Sequence, residues 1–192
     1  MEEADANLKR ALENDPQPVD ALNNLGYLRF REKDYEGAMT LFKQAIRLNP
    51  NFAECHNNLG VCAYASSDWE QAIFHFETAI VLKPDYMEAR NNLAYLYFKE
   101  GFFEVAEIEY LKGLEVEPNN VRALIGVGKI YLKNNQLEQA SEAFQQALRL
   151  DPSMSEAQSL LEDCLKMLSV FKQGGIVMKV QKEHVAEGAY LH

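Results

Sequence analysis

"AECHNNLGVCAYASSDWEQAIFHFETAIVLKPDY", residues 53–86, reads as two amphipathic helices and a stop. The first pattern runs to Ala65, "SSD" at 66–68 supplies turn chemistry, and a second pattern opens on Trp69. Pro84 closes it, because proline has no N–H to donate and its ring clashes with the preceding helical turn. The same proline recurs at 16, 50, 84, 118 and 152, always 34 residues apart. Five prolines in register are the mark of an internal repeat. Pro18 alone stands outside the series.

Cutting at that period gives four full units, 19–52, 53–86, 87–120 and 121–154. Leu25, Leu59, Leu93 and Val127 then share a column, followed by Gly26, Gly60, Ala94 and Gly128. Further columns hold Ala38, Ala72, Ala106 and Ala140, then Phe42, Phe76, Tyr110 and Phe144, then Ala45, Ala79, Gly113 and Ala147. The small columns allow two helices to approach closely. A single helix pair cannot bury its apolar face, but stacked neighbours can. Residues 1–18 align with the second helix of an incomplete unit, with Ala4, Leu8 and Ala11 in the alanine, aromatic and alanine columns. They are either the remnant of a longer array or an N-terminal cap. Residues 155–171 read as a capping helix. In 172–192, Gly174 and Gly175 break the helical pattern, and Ile176, Met178 and Val180 alternate with their neighbours, so the tail is expected to be extended or disordered.

The column pattern resembles the tetratricopeptide repeat family. It matches that family's small, alanine, aromatic, alanine and proline signature over residues 1–171, with Gly113 as the departure. The resemblance implies an all-α fold, a right-handed superhelical solenoid of antiparallel helix pairs. It also implies a concave groove lined by the first helix of each unit, and a role in holding protein partners.

Within each first helix, positions two, five, six, nine, twelve and thirteen share one face. This stripe carries Asp20, Glu54, Glu88 and Arg122, then the pairs Asn23–Asn24, Asn57–Asn58 and Asn91–Asn92. It continues through Tyr27, Val61, Tyr95 and Lys129, then Phe30, Tyr64, Phe98 and Leu132, and ends at Arg31, Ala65, Lys99 and Lys133. Asparagine amides match the N–H and C=O of a foreign backbone, and the aromatics offer broad, stiff contact area. The candidate groove is therefore Asn23, Asn24, Tyr27, Asn57, Asn58, Tyr64, Asn91, Asn92, Tyr95, Phe98, Lys99, Arg122 and Lys129. For Asn24, Asn58 and Asn92, bonding between helices stands beside groove function, whereas Asn23, Asn57 and Asn91 have no evident structural role. The asparagine ladder is similar to that of the O-linked N-acetylglucosamine transferase repeats, where such a ladder holds peptide backbone. The lysine and arginine positions of the chaperone-tail carboxylate clamp hold acids and asparagines instead, which argues against binding an acidic chaperone tail.

A formal net charge of −10 argues against nucleic acid and anionic membrane, and favours a neutral or basic protein or peptide partner. No apolar run is long enough to span a membrane, so direct insertion is not expected. Cys55, Cys62 and Cys164 have no paired spacing and fit reduced core thiols of a cytoplasm-like compartment, with an upstream signal or anchor left open. His56 is expected at a solvent edge and His75 alone. Neither a metal nor a nucleotide signature occurs, and no nucleophile stands beside a base, so neither cofactor nor catalysis is expected. Glu107, Glu109, Glu115 and Glu117 form an acidic face, either solvated or a second docking surface. Two other roles stay open: self-association, through the tail or the exposed N-terminal helix, and service as the substrate-recruiting arm of a larger enzyme.

Overall fold

The computed structural model describes residues 18–188, with side chains from 18 to 171. Among them every regular element is a helix. These are α1 (Pro18–Arg31), α2 (Tyr35–Leu48), α3 (Ala53–Ala65), α4 (Trp69–Leu82), α5 (Met87–Lys99), α6 (Phe103–Val116), α7 (Val121–Lys133), α8 (Leu137–Leu150) and α9 (Ser155–Gly188). The chain forms two compact units divided after Val116. In the first, α1 pairs with α2, α3 with α4 and α5 with α6, while α2 packs on α3 and α4 on α5. In the second, α7 pairs with α8, and α9 packs on α8 and touches α7.

Three of the four pairs are held by a ring set against a missing side chain. A Cβ placed on Gly60 would lie 2.6 Å from Phe76 Cε1, so only glycine lets α3 and α4 close on that ring. Gly26 faces Phe42, and Gly128 faces Phe144, in the same way. Each of these rings is almost completely buried, which is worth about 1.5–3 kcal/mol apiece. In the third pair Ala94 and Tyr110 take the two columns, and both are buried.

The turns inside the pairs share one backbone device. Lys33, Ser67, Gly101 and Asn135 have φ of 66°, 61°, 85° and 59°. This left-handed residue ends the first helix and lets the next N–H return: Asp68 N–H reaches the Ala63 carbonyl at 2.9 Å. Asp34 and Asp68 then cap the second helices, accepting from Gly37 N–H at 2.9 Å and Gln71 N–H at 3.2 Å.

Pro18 takes the first position of α1, where its missing N–H costs nothing. Of the incomplete unit expected over residues 1–18, only Pro18 is described, and it belongs to α1; residues 1–17 lie outside the described residues, as do 189–192. The expectation of an extended or disordered tail after 171 is corrected: α9 continues from Ser155 to Gly188, through Gly174 and Gly175. Glycine inside a helix costs about 1 kcal/mol against alanine, but unlike proline it blocks nothing, and no proline follows Pro152. Among the described residues no helix is long and apolar enough to cross a membrane.

Candidate functional site

The first helices α1, α3 and α5 touch in succession, and the asparagine columns form part of that contact. Asn58 Nδ2 donates to Asn23 Oδ1 at 2.8 Å, and Asn92 Nδ2 donates to Asn57 Oδ1 at 2.9 Å. The Cys55 thiol donates to the same Asn23 oxygen at 3.4 Å. Position six of one unit thus bonds to position five of the unit before it. This offset gives the asparagine doublet its structural role: each unit needs one residue to donate backward and one to accept from ahead.

The finding corrects the groove list. Asn57 is only 1% exposed and Asn91 is also buried, so neither is presented to a ligand, and Asn23 is already an acceptor. Position five points toward the neighbouring first helix rather than into the groove. Asn24 is exposed, while Asn58 and Asn92 are half-buried and keep a second amide hydrogen.

The aromatic band divides in two. Phe30 packs on Tyr35 with centroids 5.3 Å apart, and Phe98 on Phe103 at 5.5 Å, so these rings brace their own pairs. Tyr27 and Tyr95 are 51% and 43% exposed, and Tyr64 meets Tyr95 edge to face at 6.2 Å. Lys99, Asp20 and Glu88 are exposed around them. Glu54 is neutralised by Lys83 at 3.2 Å, and the Lys83 ammonium also lies 5.0 Å over the Tyr86 ring. Burial, with Glu88 and Glu54 adding to it, pushes the Tyr86 phenol up. In the second unit Arg122 is exposed, and Lys129 is tied to Glu156 at 2.7 Å.

The thiols are free and buried, and burial pushes Cys55 up to about 12 and Cys62 to about 11, so neither is a nucleophile near neutral pH. The histidines were misread from sequence. His56 is buried, and its Nδ1 lies 3.3 Å from His75 Nδ1. His56 Nε2 is 3.2 Å from the Pro50 carbonyl, which only accepts, so Nε2 carries the hydrogen and His75 Nδ1–H donates to His56 Nδ1. The signal was the period itself: His56 is the fourth residue of a first helix, close to where the second helix of its own unit returns.

Stacked helix pairs carrying a tyrosine-rich face, without a convergent set of metal-binding side chains among the described residues, define a helical-repeat scaffold for protein interaction. The chain belongs to the tetratricopeptide repeat family. Profiles described as tetratricopeptide repeat match residues 19–52, 121–154, 41–74 and 88–120, and one described as TPR repeat matches 63–101. No curated protein matches the sequence. Among solved structures, MamA is 25% identical, with 78% of this chain and 87% of MamA covered and a TM-score of 0.65. Pseudomonas aeruginosa pilF is 21% identical, with 80% of this chain and 70% of that one covered and a TM-score of 0.74. A chain of the APC/C hetero-tetramer Cut9–Hcn1 is 22% identical, with 85% of this chain and 33% of that one covered and a TM-score of 0.74. The last two likenesses concern the fold alone.

Proposed function

We propose that the first unit holds an extended, neutral or basic segment of a protein partner along the face of α1, α3 and α5. The observation that carries this reading is the exposure of Tyr27 and Tyr95 in one column, with Tyr64 leaning on the second. The fold does not use these two rings as core, and exposed tyrosines are the residues on which peptide recognition most often turns. Beside them the free amide of Asn24 and the spare amide hydrogens of Asn58 and Asn92 face a partner's carbonyls. Asp20 and Glu88 supply the negative rim, and the exposed Arg31 and Lys99 supply positive points.

The test selects from a random peptide display library on the immobilised full chain, then measures affinity by fluorescence anisotropy. Tyr27→Ala and Tyr95→Ala are each expected to weaken the selected peptides by about tenfold without lowering the melting temperature. Equal binding to wild type and both variants overturns the reading.

A further inference from the structure

Four columns of the second helices, spaced by three, are polar in three units except at Gly37 and Phe74. The residue before the helix is Asp34, Asp68 or Gln136. Three, six and nine residues later come Gly37, Gln71 or Gln139, then Thr40, Phe74 or Glu142, then Lys43, Glu77 or Gln145. In the unit of α5 and α6 all four columns turn apolar: Phe102, Val105, Ile108 and Leu111. All four are exposed, Phe102 at 58% and Ile108 at 52%. Spaced by three along α6, they make one slanted apolar stripe.

Phe102 shows that the stripe is placed at the expense of stability. It occupies the column where Asp34 and Asp68 cap their helices. Losing such a cap costs about 1 kcal/mol. The aromatic gains little in return: it is 58% exposed and meets Tyr97 edge to face at 6.4 Å. Carboxylates flank the stripe. Glu109 is engaged by Arg90 and Lys112, both at 2.7 Å, whereas Glu104, Glu107 and Glu115 make no ion pair among the described residues.

We infer that α6 is a second docking surface, carried by a second helix whereas the tyrosines lie on first helices, and that its occupant is a basic amphipathic helix of a partner protein. An apolar ridge fits the i, i+3, i+4 anchors of such a helix, and the unpaired glutamates fit lysines or arginines on its flanks. A second copy of this face would bring glutamates against glutamates, and an anionic bilayer would meet the same repulsion. The inference is independent of the tyrosine face.

The probe is an amidated 18-residue helical peptide with leucines at i, i+3, i+4 spacing and lysines on the flanks. Its controls are a scrambled peptide of the same composition and one with glutamate for lysine, each titrated against the full chain. Ile108→Lys, and separately Glu104→Lys with Glu107→Lys, are expected to weaken the probe at least tenfold, and both control peptides to bind at least tenfold worse. Phe102→Asp restores the capping residue, so it is expected to raise the melting temperature while losing the probe. Tyr95→Ala is expected to leave this binding intact. Any one of three outcomes overturns the inference: unchanged binding by Ile108→Lys and Phe102→Asp, scrambled peptide bound as well as the probe, or wild-type self-association that Ile108→Lys disperses, which would make a second copy the occupant.

Discussion

At the scale of the residue, the asparagine doublet shows what a face can and cannot reveal. Helical spacing placed both columns on one side of the first helix, and that placement was legible. It could not show that α1, α3 and α5 stand close enough to cover position five, because coverage depends on a neighbour 34 residues away. The bonded pairs, Asn23 with Asn58 and Asn57 with Asn92, are 35 residues apart, one more than the period, and that offset was the available signal. Replacing Asn57 by alanine strips the acceptor from Asn92, so a loss of about 1–3 kcal/mol is expected in urea unfolding. A double-mutant cycle with Asn92→Ala should return a coupling of about 1 kcal/mol. Additive effects would show that the ladder bond contributes nothing.

The histidine pair carries a pH dependence at the same scale. Burial holds His75 at about 4 against an ordinary 6.5, with His56 and Lys43 pushing the same way and Asp68 opposing. Burial likewise lowers His56, against the pull of the Pro50 carbonyl. From α2 the pair feels Lys43, and from α4 it feels the capping Asp68 and the ring of Phe74, which meets His75 edge to face at 5.1 Å. The folded chain therefore resists a proton that the unfolded chain accepts. Stability from His75 is fully present above pH 6.5 and is lost as pH falls toward 4. Solvent screening of the half-exposed ring discounts the effect to about 1–2 kcal/mol. Melting curves from pH 7.5 to 4.5 should fall more steeply for wild type than for His75→Gln; parallel curves would remove the histidine from the account.

At the scale of the element, the turns follow from one backbone requirement. Each first helix ends on a left-handed residue, and only the third unit supplies the glycine that suits it. Lys33, Ser67 and Asn135 hold that conformation with a Cβ, at a cost of about 1 kcal/mol each. Ser67→Gly is accordingly expected to stabilise by about 0.5–1 kcal/mol, and Gly101→Ala to destabilise by about 1 kcal/mol, in chemical denaturation. A destabilising Ser67→Gly would mean that its side chain contributes more than the strain it costs. The turn of the second unit was legible in "SSD" at 66–68, since small polar residues interrupt two helical patterns there. The extent of α9 was not legible, because a glycine pair lowers helix propensity without forbidding helix.

At the scale of the whole molecule, period and charge were both legible, and they bear on different things. The 34-residue register gave the helix pairs but not the division after Val116, since the repeat runs unbroken through Pro118. Charge sets how partners arrive. With 29 acidic against 19 basic residues, the chain carries a net negative field, and both proposed surfaces are edged by unpaired acids, Asp20 and Glu88 on one and Glu104 and Glu107 on the other. Such a field accelerates encounter with a basic segment but adds little once desolvated contacts form. Screening shortens its reach to about 10 Å at 0.1 M salt and about 3 Å at 1 M. For basic peptides selected on the tyrosine face, stopped-flow association rates should fall about tenfold between 0.02 and 0.5 M salt, while dissociation changes less than about twofold. Neutral peptides from the same selection should show neither change. Association that ignores salt for the basic peptides would show that the acidic rim plays no part in recruitment, and would leave the tyrosines as the sole basis of selection.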